Sequence, residues 1–324
     1  MQNSYIAKNN TIVVTSGTLA KSGGIQSVTR TLFSEIMPIL YLDKENPHNI
    51  IPKLNDYHNI LFSGFDSQFS ELVNWANKTH KKVIVFWHFS VSMEVDTDLG
   101  RAWNSLLPLL YNKQVDLFIT CKYGLAEIIE KIFNVKSFFI LNNSFSCSYQ
   151  SEPKNGIGLF SGSGNYWVKN FKPNLYAALL TDKKIDIVPY NDNIHSILKA
   201  IGMENRVTGT GMLNHEAFLR RLSSSELVSY VTFSEGSPIL PLEALNNGVI
   251  CLTGNNHHYF RTEPRLSELL ICNRPDDPLS IYNCITTALD NKEEILELYK
   301  KWKNNYNSQQ EENFQRLIHI LESL

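Results

Sequence analysis

Two glutamates in the second half of the chain, Glu235 and Glu243, flank a turn that the sequence predicts between a strand and a helix. Gly236 and Pro238 favour the turn, because glycine tolerates unusual backbone angles and proline fits the first helical position. Gly248 is typical of the residue that follows the last turn of a helix. The pattern therefore predicts two carboxylates at the carboxyl edge of a sheet, one in the loop and one on the helix.

The two carboxylates, with backbone amides between them, suit a ligand that is both anionic and rich in hydroxyl groups. Amides at a helix N-terminus attract phosphate, and a carboxylate accepts hydrogen bonds from the neighbouring hydroxyls of a ribose or another sugar. The alternative is that Glu235 only caps the helix and that Glu243 only faces solvent. The apolar residues around the pair, which predict a strand on each side, favour a ligand site.

Short apolar runs alternate with helix-period segments along almost the whole chain, and this alternation positions the two glutamates. Runs without a polar face are typical of parallel strands covered on both sides, so each half predicts a doubly wound, Rossmann-like α/β domain. In the first half we predict strands at residues 12–15, 60–63, 83–89, 117–121 and 138–141, and helices at residues 27–37, 68–79, 99–110 and 122–133.

Polar residues 144–155 interrupt the alternation and are the best candidate for a linker, so we predict domains at residues 1–150 and 151–324. Ligands bind beyond the carboxyl ends of the strands in such sheets, and two such edges that face each other form a deep interdomain cleft. In the second half we predict strands at residues 158–161, 185–190, 228–234, 249–253 and 269–272, and helices at residues 172–180, 193–200, 215–222, 240–246, 278–289, 292–303 and 310–324.

The length and composition exclude several classes of protein. The 324 residues exceed what one hydrophobic core usually serves, and the net charge of −2 argues against a protein that coats nucleic acid. No apolar run reaches the ~18 residues that cross a membrane, and the polar N-terminus does not resemble a secretion signal, so we expect a cytoplasmic protein. Five cysteines without CxxC spacing predict reduced, buried thiols: Cys121, Cys147, Cys251, Cys272 and Cys284.

The segment from Ser234 to Val249 resembles the E-x7-E motif of retaining GT-B glycosyltransferases, close to glycosyltransferase family 4. The resemblance implies that Glu243 holds the ribose of a nucleotide donor and that Glu235 contacts the donor sugar. It also implies that a backbone segment lies along the sugar and the diphosphate, namely Gly236, Ser237 and Pro238.

Three further motifs extend the resemblance. The run from Ser22 to Gln26, which contains Gly23 and Gly24, resembles the family's N-terminal glycine loop, where the backbone approaches the donor phosphates. Residues 83–88 resemble a strand that ends in a histidine near the transferred sugar, although His88 also fits an ordinary strand end. The run Gly209-Thr210-Gly211 resembles a strand and turn over the nucleotide base. The helix at residues 310–324 is expected to pack back on the first domain, as in many GT-B enzymes.

Residues 161–170 resemble the loop in which a lysine neutralises the donor diphosphate, so Lys169 takes the place that a metal ion has elsewhere. The family usually has an arginine five positions earlier, where this chain has Gly164. Arg30, Lys172 or Arg206 are candidates to replace it. Without a replacement, turnover is weak or the chain is an inactive homologue.

Other features have simpler interpretations than a metal or membrane site. Asp96 and Asp98 form a D-x-D but precede a predicted helix, where aspartate is a favoured cap. His257 and His258 lack a carboxylate or cysteine at ligand spacing, so we expect a surface loop. The apolar stripe at residues 101–111 is more typical of packed core than of a membrane or lipid-linked acceptor contact. We therefore predict no metal ion and no cofactor besides the donor.

By this resemblance the chain is a retaining, metal-independent hexosyltransferase. It is expected to move a sugar from a UDP- or GDP-linked donor to a hydroxyl of a glycan or glycolipid, in the synthesis of cell-surface polysaccharide or glycoconjugate. Contact with the inner membrane face is a further expectation, and nucleic acid is not an expected partner. The main alternative is a non-catalytic GT-B subunit that binds sugar or supports an active partner. An epimerase, a phosphorylase and an enzyme that glucosylates DNA bases are less favoured.

Overall fold

The computed structural model describes residues 10–17, 24–42, 47–95, 97–142, 155–160 and 167–324. The chain divides into two compact units, of which the first consists of Met1–Asn143 with Asn307–Leu324 and the second of Ser144–Tyr306. Each unit contains a parallel sheet of six strands with helices between the strands. The predicted linker at residues 144–155 lies outside the described residues, apart from Asn155.

The sheet of the first unit has the strand order β2-β1-β3-β4-β5-β6. Its central strands are buried on both faces, as in β3, where Ile60, Leu61 and Phe62 have no exposed surface. The strands are β1 Thr11–Ser16, β2 Ile39–Leu42, β3 Asn59–Ser63, β4 Lys82–Trp87, β5 Leu117–Thr120 and β6 Ser137–Phe139. The helices are α1 Gly24–Phe33, α2 Ile51–Leu54, α3 Phe69–Lys78, α4 Thr97–Tyr111 and α5 Leu125–Phe133.

The apolar stripe of α4 belongs to the core of the first unit. Trp103, Leu106, Leu109 and Leu110 are buried, and they pack in the same cluster as the strand residue Trp87. The stripe is therefore packed core, which was the favoured interpretation of the sequence. Among the helices of the described ranges, none combines the length and apolar character that a membrane crossing requires.

The sheet of the second unit has the strand order β12-β11-β10-β7-β8-β9. This order places β7 and β10 side by side at its centre, so the loops that follow these two strands meet at one edge. The strands are β7 Ile157–Leu159, β8 Ile185–Ile187, β9 Val207–Gly209, β10 Leu227–Tyr230, β11 Ile250–Gly254 and β12 Ile271–Cys272. The helices are α6 Phe171–Leu180, α7 Asp192–Ala200, α8 His215–Ser223, α9 Leu240–Asn246, α10 Pro264–Leu270 and α11 Pro278–Asp290.

The last helix, α12, runs without interruption over Lys292–Glu322. The predicted break at residues 304–310 was wrong, because this polar tract contains neither glycine nor proline and remains compatible with a helix. Tyr306 is buried in the second unit. Leu317 and Leu321 are buried in the first unit, so the end of α12 completes the core of the first unit.

Hydrogen bonds between side chains and backbone groups fix the end of α12 in the first unit. The Asn313 side chain accepts from the Leu141 N–H at 2.9 Å and donates to the Phe139 carbonyl at 2.9 Å. Asn59 donates to the Leu321 carbonyl at 3.1 Å. A side chain of the helix thereby binds backbone groups of β6 and just after it, and a side chain of β3 binds a backbone carbonyl of the helix.

Some elements differ from the prediction. The strand expected at residues 269–272 is confirmed only at β12 Ile271–Cys272, because residues 269 and 270 end the helix Pro264–Leu270, which begins with a proline that suits the first helical turn. The strands β2 and β9 were missed, because each is a short strand at the edge of its sheet: β2 has only four residues, and β9 carries a threonine and a glycine. Cys147 lies outside the described residues, Cys284 is half-buried, and three other thiols are buried: Cys121, Cys251 and Cys272.

Candidate functional site

Lys169, Tyr230 and Glu235 form a closed set of hydrogen bonds after strand β10. The Lys169 ammonium donates to Glu235 Oε1 at 2.5 Å and to the Tyr230 hydroxyl at 2.6 Å. The Tyr230 hydroxyl donates to the same Glu235 oxygen at 2.7 Å. The structure thus brings together two predicted site residues that are 66 positions apart in the sequence.

The side chains of this set are largely buried. The Glu235 side chain is 9% exposed and the Lys169 side chain is 21% exposed. Burial raises the pKa of the Tyr230 hydroxyl well above its usual value, and the neighbouring Glu235 carboxylate raises it further. The hydroxyl therefore keeps its proton and remains a donor. The ammonium also lies 5.2 Å from the centre of the Tyr230 ring, at a distance typical of a cation–π contact.

The backbone around Lys169 is fixed by buried asparagines. Asn170 precedes helix α6 with a φ of 53°, and its side chain donates to the Val231 carbonyl at 3.0 Å and also to the Pro275 carbonyl. Asn174 donates to Val231 O at 2.9 Å and accepts from Val231 N at 3.1 Å. The Phe233 N–H donates to the Val168 carbonyl at 2.9 Å. These bonds hold the lysine loop against the chain that leads from β10 to Glu235.

Glu243 lies on helix α9 and is 8% exposed. The His215 Nε2 at the start of α8 donates to Glu243 Oε1 at 2.7 Å. The imidazole is 48% exposed, whereas the carboxylate side chain is only 10% exposed. The negative charge of Glu243 also raises the pKa of Tyr230. The Glu243 carboxylate therefore interacts electrostatically with a member of the hydrogen-bonded set that Lys169, Tyr230 and Glu235 form. The alternative interpretation, in which Glu243 only faces solvent, is therefore wrong, because the carboxylate is buried and paired.

The turn between the two glutamates is buried at Gly236, Ser237 and Pro238 and half-buried at Ile239. The Ser237 hydroxyl lies 2.8 Å from the Tyr259 hydroxyl, within hydrogen-bond distance. Tyr259 is fully buried and packs against Trp302 of α12 with ring centres 6.2 Å apart. Trp302 of α12 therefore packs against Tyr259, which in turn contacts the loop that is predicted to bind the sugar.

The predicted surface loop at His257 and His258 was wrong. His257 is 3% exposed, and its ring packs on Tyr259 with centres 4.9 Å apart. His258 is half-buried against Tyr306 of α12. The two asparagines before the pair favour a surface loop, and Tyr306, which packs on His258, lies far along the chain, so local patterning did not indicate this burial.

Gly209 and Thr210 lie at the carboxyl end of β9, where Tyr190 packs closely. A Cβ atom on Gly209 would lie 2.4 Å from a carbon of the Tyr190 ring. The Tyr190 N–H donates to the Thr210 carbonyl at 2.7 Å, and the Thr210 N–H donates to the Ile187 carbonyl at 3.2 Å. The glycine is thus required by close packing against an aromatic ring that follows β8.

A cavity of about 520 Å³ lies beside β8, β9 and α8. Thr210 lines it, but Lys169, Glu235 and Glu243 do not. Its remaining polar lining includes Arg221, whose guanidinium is paired with Asp186 through two bonds of 2.6 Å. We therefore do not equate this cavity with the site around the two glutamates.

His88 follows β4 in the first unit and is 8% exposed. Its Nε2 lies 2.9 Å from the Ser63 hydroxyl, which lies 2.6 Å from the Thr29 hydroxyl of α1. Burial lowers the pKa of the imidazole from 6.5 to about 3, so His88 is neutral near pH 7. Gly24 begins α1 in the same unit, and Gly23 lies outside the described residues.

Three cations are candidates to replace the arginine that is expected at position 164, namely Arg30, Lys172 and Arg206. Arg206 donates to the Leu179 carbonyl at 2.9 Å and to the Lys183 carbonyl at 2.9 Å, so it binds the backbone at and beyond the end of α6 rather than a ligand. Arg30 and Lys172 are exposed on α1 and α6. Gly164 lies outside the described residues.

Only the second aspartate of the D-x-D pair lies within the described residues. Asp96 lies outside the described residues, and Asp98 in the first turn of α4 forms an ion pair with Arg101. Across the described residues, no group of three or more histidine, cysteine, aspartate or glutamate side chains is arranged to hold a metal ion.

Two residues of the site were missed from the sequence. Tyr230 lies within a buried strand, and the only available signal was that a buried tyrosine hydroxyl usually needs a partner. His215 was identified only as the start of helix α8, and nothing in its local sequence indicates a contact 28 positions away. Pairings over such separations depend on the tertiary fold.

The two parallel α/β units define the class of the chain as the GT-B fold, which confirms the predicted fold class. The sequence matches no protein-family model and no curated protein. Solved structures are nevertheless similar over nearly the whole chain. The sucrose-phosphate synthase of Thermosynechococcus elongatus has a TM-score of 0.70 at 12% identity, covering 97% of this chain and 98% of its own.

Two further structures have the same architecture. The UDP-forming α,α-trehalose-phosphate synthase of Burkholderia xenovorans has a TM-score of 0.64 at 10% identity, covering 95% of this chain and 100% of its own. The lipopolysaccharide outer core galactosyltransferase WaaB has a TM-score of 0.58 at 15% identity, covering 91% of this chain and 98% of its own. At these identities the similarity establishes the fold.

Proposed function

We propose that this chain is a glycosyltransferase that binds a nucleotide-diphosphate sugar in its second unit and transfers the sugar to an acceptor hydroxyl. The observation that carries the proposal is the pairing of Lys169 with Glu235 after β10, with the buried Glu243 eight positions further on. Similar GT-B structures include one described as UDP-forming and one bound with UDP-2-fluoro glucose, which supports a donor of this kind.

Each residue of the second unit has a defined part in the proposal. The Lys169 ammonium stabilises the negative charge that grows on the departing diphosphate, in a buried setting where electrostatic interactions are strong. Glu235 accepts hydrogen bonds from the donor sugar, and Glu243 accepts them from the ribose. Gly236, Ser237 and Pro238 lie along the sugar and the diphosphate, and Gly209 and Thr210 lie at the base.

The transfer itself needs no covalent enzyme intermediate. The bond between the anomeric carbon and the phosphate oxygen breaks, and a bond to the acceptor oxygen forms on the same face of the sugar. The acceptor proton passes to the departing phosphate oxygen. His88 and Gly24 belong to the first unit, and His88, being uncharged near pH 7, is suited to hydrogen bonding rather than to acid catalysis.

The finer parts of the proposal concern the substrates. They are retention of anomeric configuration, a UDP- or GDP-linked hexose, and a glycan or glycolipid acceptor of cell-surface polysaccharide synthesis. They also include independence from metal ions, with Lys169 as the cation, and work in the cytoplasm, with contact at the inner membrane face. The non-catalytic subunit remains the alternative, and donor turnover distinguishes the two.

A thermal-unfolding screen with UDP-, GDP-, ADP- and CMP-sugars tests the donor site. A donor present at 100 times its dissociation constant is expected to stabilise the protein by about 2.7 kcal/mol, because it binds only the folded state. Lys169→Met is expected to abolish most of this stabilisation, since it keeps the side-chain stem and removes the charge. The measurement is the shift in melting temperature for each donor.

Lys183→Met is the matched control, because it removes a lysine of the same unit that pairs with Glu226 at 2.9 Å, away from the candidate site. It is expected to lower the melting temperature slightly and to leave the donor-induced shift unchanged. Absence of a shift with every donor, or an equal shift in Lys169→Met, contradicts the proposal.

A further inference from the structure

Tyr230 contacts both charged members of the candidate site. Its hydroxyl accepts a hydrogen bond from Lys169 at 2.6 Å and donates one to Glu235 at 2.7 Å. The residue lies on β10, which pairs with β11 on one side and with β7 on the other. It is 7% exposed, so the strand and its surroundings fix the hydroxyl in place.

Lys169 is the more mobile partner of Glu235. Its ammonium ends a flexible four-carbon stem that is 21% exposed, and it has three protons, two of which are directed at Glu235 and Tyr230. A diphosphate that binds beside Glu235 competes with the carboxylate for the same ammonium. If the ammonium turns to the phosphates, a carboxylate with only 9% exposure loses its cation.

We infer that Tyr230 is a positioning residue, which holds Glu235 in place for the donor sugar when Lys169 turns from the carboxylate to the donor's diphosphate. The inference rests on the proposed function and adds a residue that the sequence motif does not contain. Buried carboxylates need hydrogen-bond partners to remain in one place. The hydroxyl is such a partner, and it is attached to a central strand rather than to a flexible stem.

The sugar and the diphosphate of the donor are expected to respond differently to loss of the Tyr230 hydroxyl. The sugar depends on Glu235 and therefore on Tyr230, whereas the diphosphate depends on Lys169. Removal of the hydroxyl alone is then expected to weaken binding of a sugar nucleotide more than binding of the same nucleotide without its sugar. A role in packing alone predicts equal effects on both ligands, because the aromatic ring remains in Tyr230→Phe.

Titration calorimetry with UDP-glucose against UDP, and with GDP-mannose against GDP, measures this difference. In Tyr230→Phe we expect affinity for the sugar nucleotide to fall on the order of tenfold, the effect of losing one hydrogen bond to a charged group. Affinity for UDP or GDP is expected to stay within about twofold. Tyr230→Met, which also lacks the hydroxyl but fills the space differently, is expected to show the same selectivity.

Tyr299→Phe is the matched control. It removes another buried phenol hydroxyl of the same unit, which donates to Asn246 Oδ1 at 2.8 Å, and it is expected to change neither affinity ratio. Equal losses for both ligands in the Tyr230 variants, or no loss for either, overturn the positioning role while wild-type binding upholds the proposed function. Wild-type protein that binds neither sugar nucleotide overturns both.

Discussion

The polar side chains of the candidate site are buried in pairs. Glu235 is paired with Lys169 and Tyr230, and Glu243 with His215. Transfer of a carboxylate from water into a protein is costly unless charged or hydrogen-bonding partners replace the lost hydration. The pairings therefore explain how two glutamates, each less than a tenth exposed, persist at one edge of a sheet.

Among the described residues, the His88 ring has a hydroxyl partner rather than a charged one, and its burial makes the first unit sensitive to acid. Its folded-state pKa of about 3 lies below the unfolded value of 6.5, so the unfolded chain binds more protons between these values. The contribution of the neutral imidazole to stability is complete above pH 6.5 and decreases as the pH falls towards 3. At pH 5 this loss is about 2 kcal/mol relative to pH 7.

Urea unfolding of wild type and His88→Gln at pH 7 and pH 5 checks this prediction. The glutamine variant is expected to lose less stability than the wild type between pH 7 and pH 5, because the glutamine at position 88 does not bind a proton when the chain unfolds. An identical loss in both proteins contradicts the assignment of a buried, neutral His88. His80 lies in an exposed turn, so His80→Gln is the control and is expected to retain the wild-type pH dependence.

At the scale of elements, the end of β9 depends on a glycine with no room for a side chain. Gly209→Ala places a Cβ atom 2.4 to 2.6 Å from three atoms of Tyr190, among them its Cβ and the first ring carbon, which cannot swing away. We expect a loss of about 1 to 3 kcal/mol in unfolding free energy, the usual range for overpacking. If Gly209 and Thr210 bind the donor base, donor affinity falls as well.

Gly211→Ala is the matched control for this prediction. A Cβ atom on Gly211 meets no atom within 4 Å, so its effect on stability is expected to stay within about 0.5 kcal/mol. Denaturant unfolding of both variants decides the matter. Equal stabilities for the two variants contradict the packing argument for Gly209.

The central strands could be predicted from the sequence because their physical signal is local. Residues 60–63 are apolar on both faces and form β3 Asn59–Ser63 as expected. The strand β9 Val207–Gly209 was missed, because this edge strand is largely exposed and carries a threonine and a glycine. The burial of His257 and His258 was also missed, because it depends on tertiary packing, in which Tyr306 of α12 contacts His258 and Tyr259.

The candidate site was predictable in part. The spacing of Glu235 and Glu243 and the position of Lys169 were recognisable from the motif, whereas Tyr230 and His215 were not. The three predicted residues lie in recognisable turn or helix sequences, and the two missed ones contribute through contacts over long separations or within a buried strand. A local sequence pattern predicts which residues lie at the edge of a sheet, but it does not predict which side chains pair there.

For the whole molecule, the continuous helix α12 matters more than the sequence indicated. Its residues up to Tyr306 belong to the second unit, where aromatic side chains support the loop of Ser237 through Tyr259. Its residues from Asn307 belong to the first unit, where Leu317 and Leu321 are buried. The first unit is therefore formed by two separate segments of the chain, whereas the second unit is one continuous segment.

The central claim is that the Lys169 and Glu235 pair acts on a nucleotide sugar, and donor hydrolysis without acceptor tests it most directly. We expect the wild type to release UDP or GDP slowly from its donor, also in the presence of EDTA. Lys169→Met and Glu235→Gln are expected to lower this rate by about 100-fold, the typical effect of removing one group that stabilises developing charge. Lys183→Met is expected to retain the wild-type rate. Release that persists unchanged in both site variants, or no release from any donor, contradicts the claim.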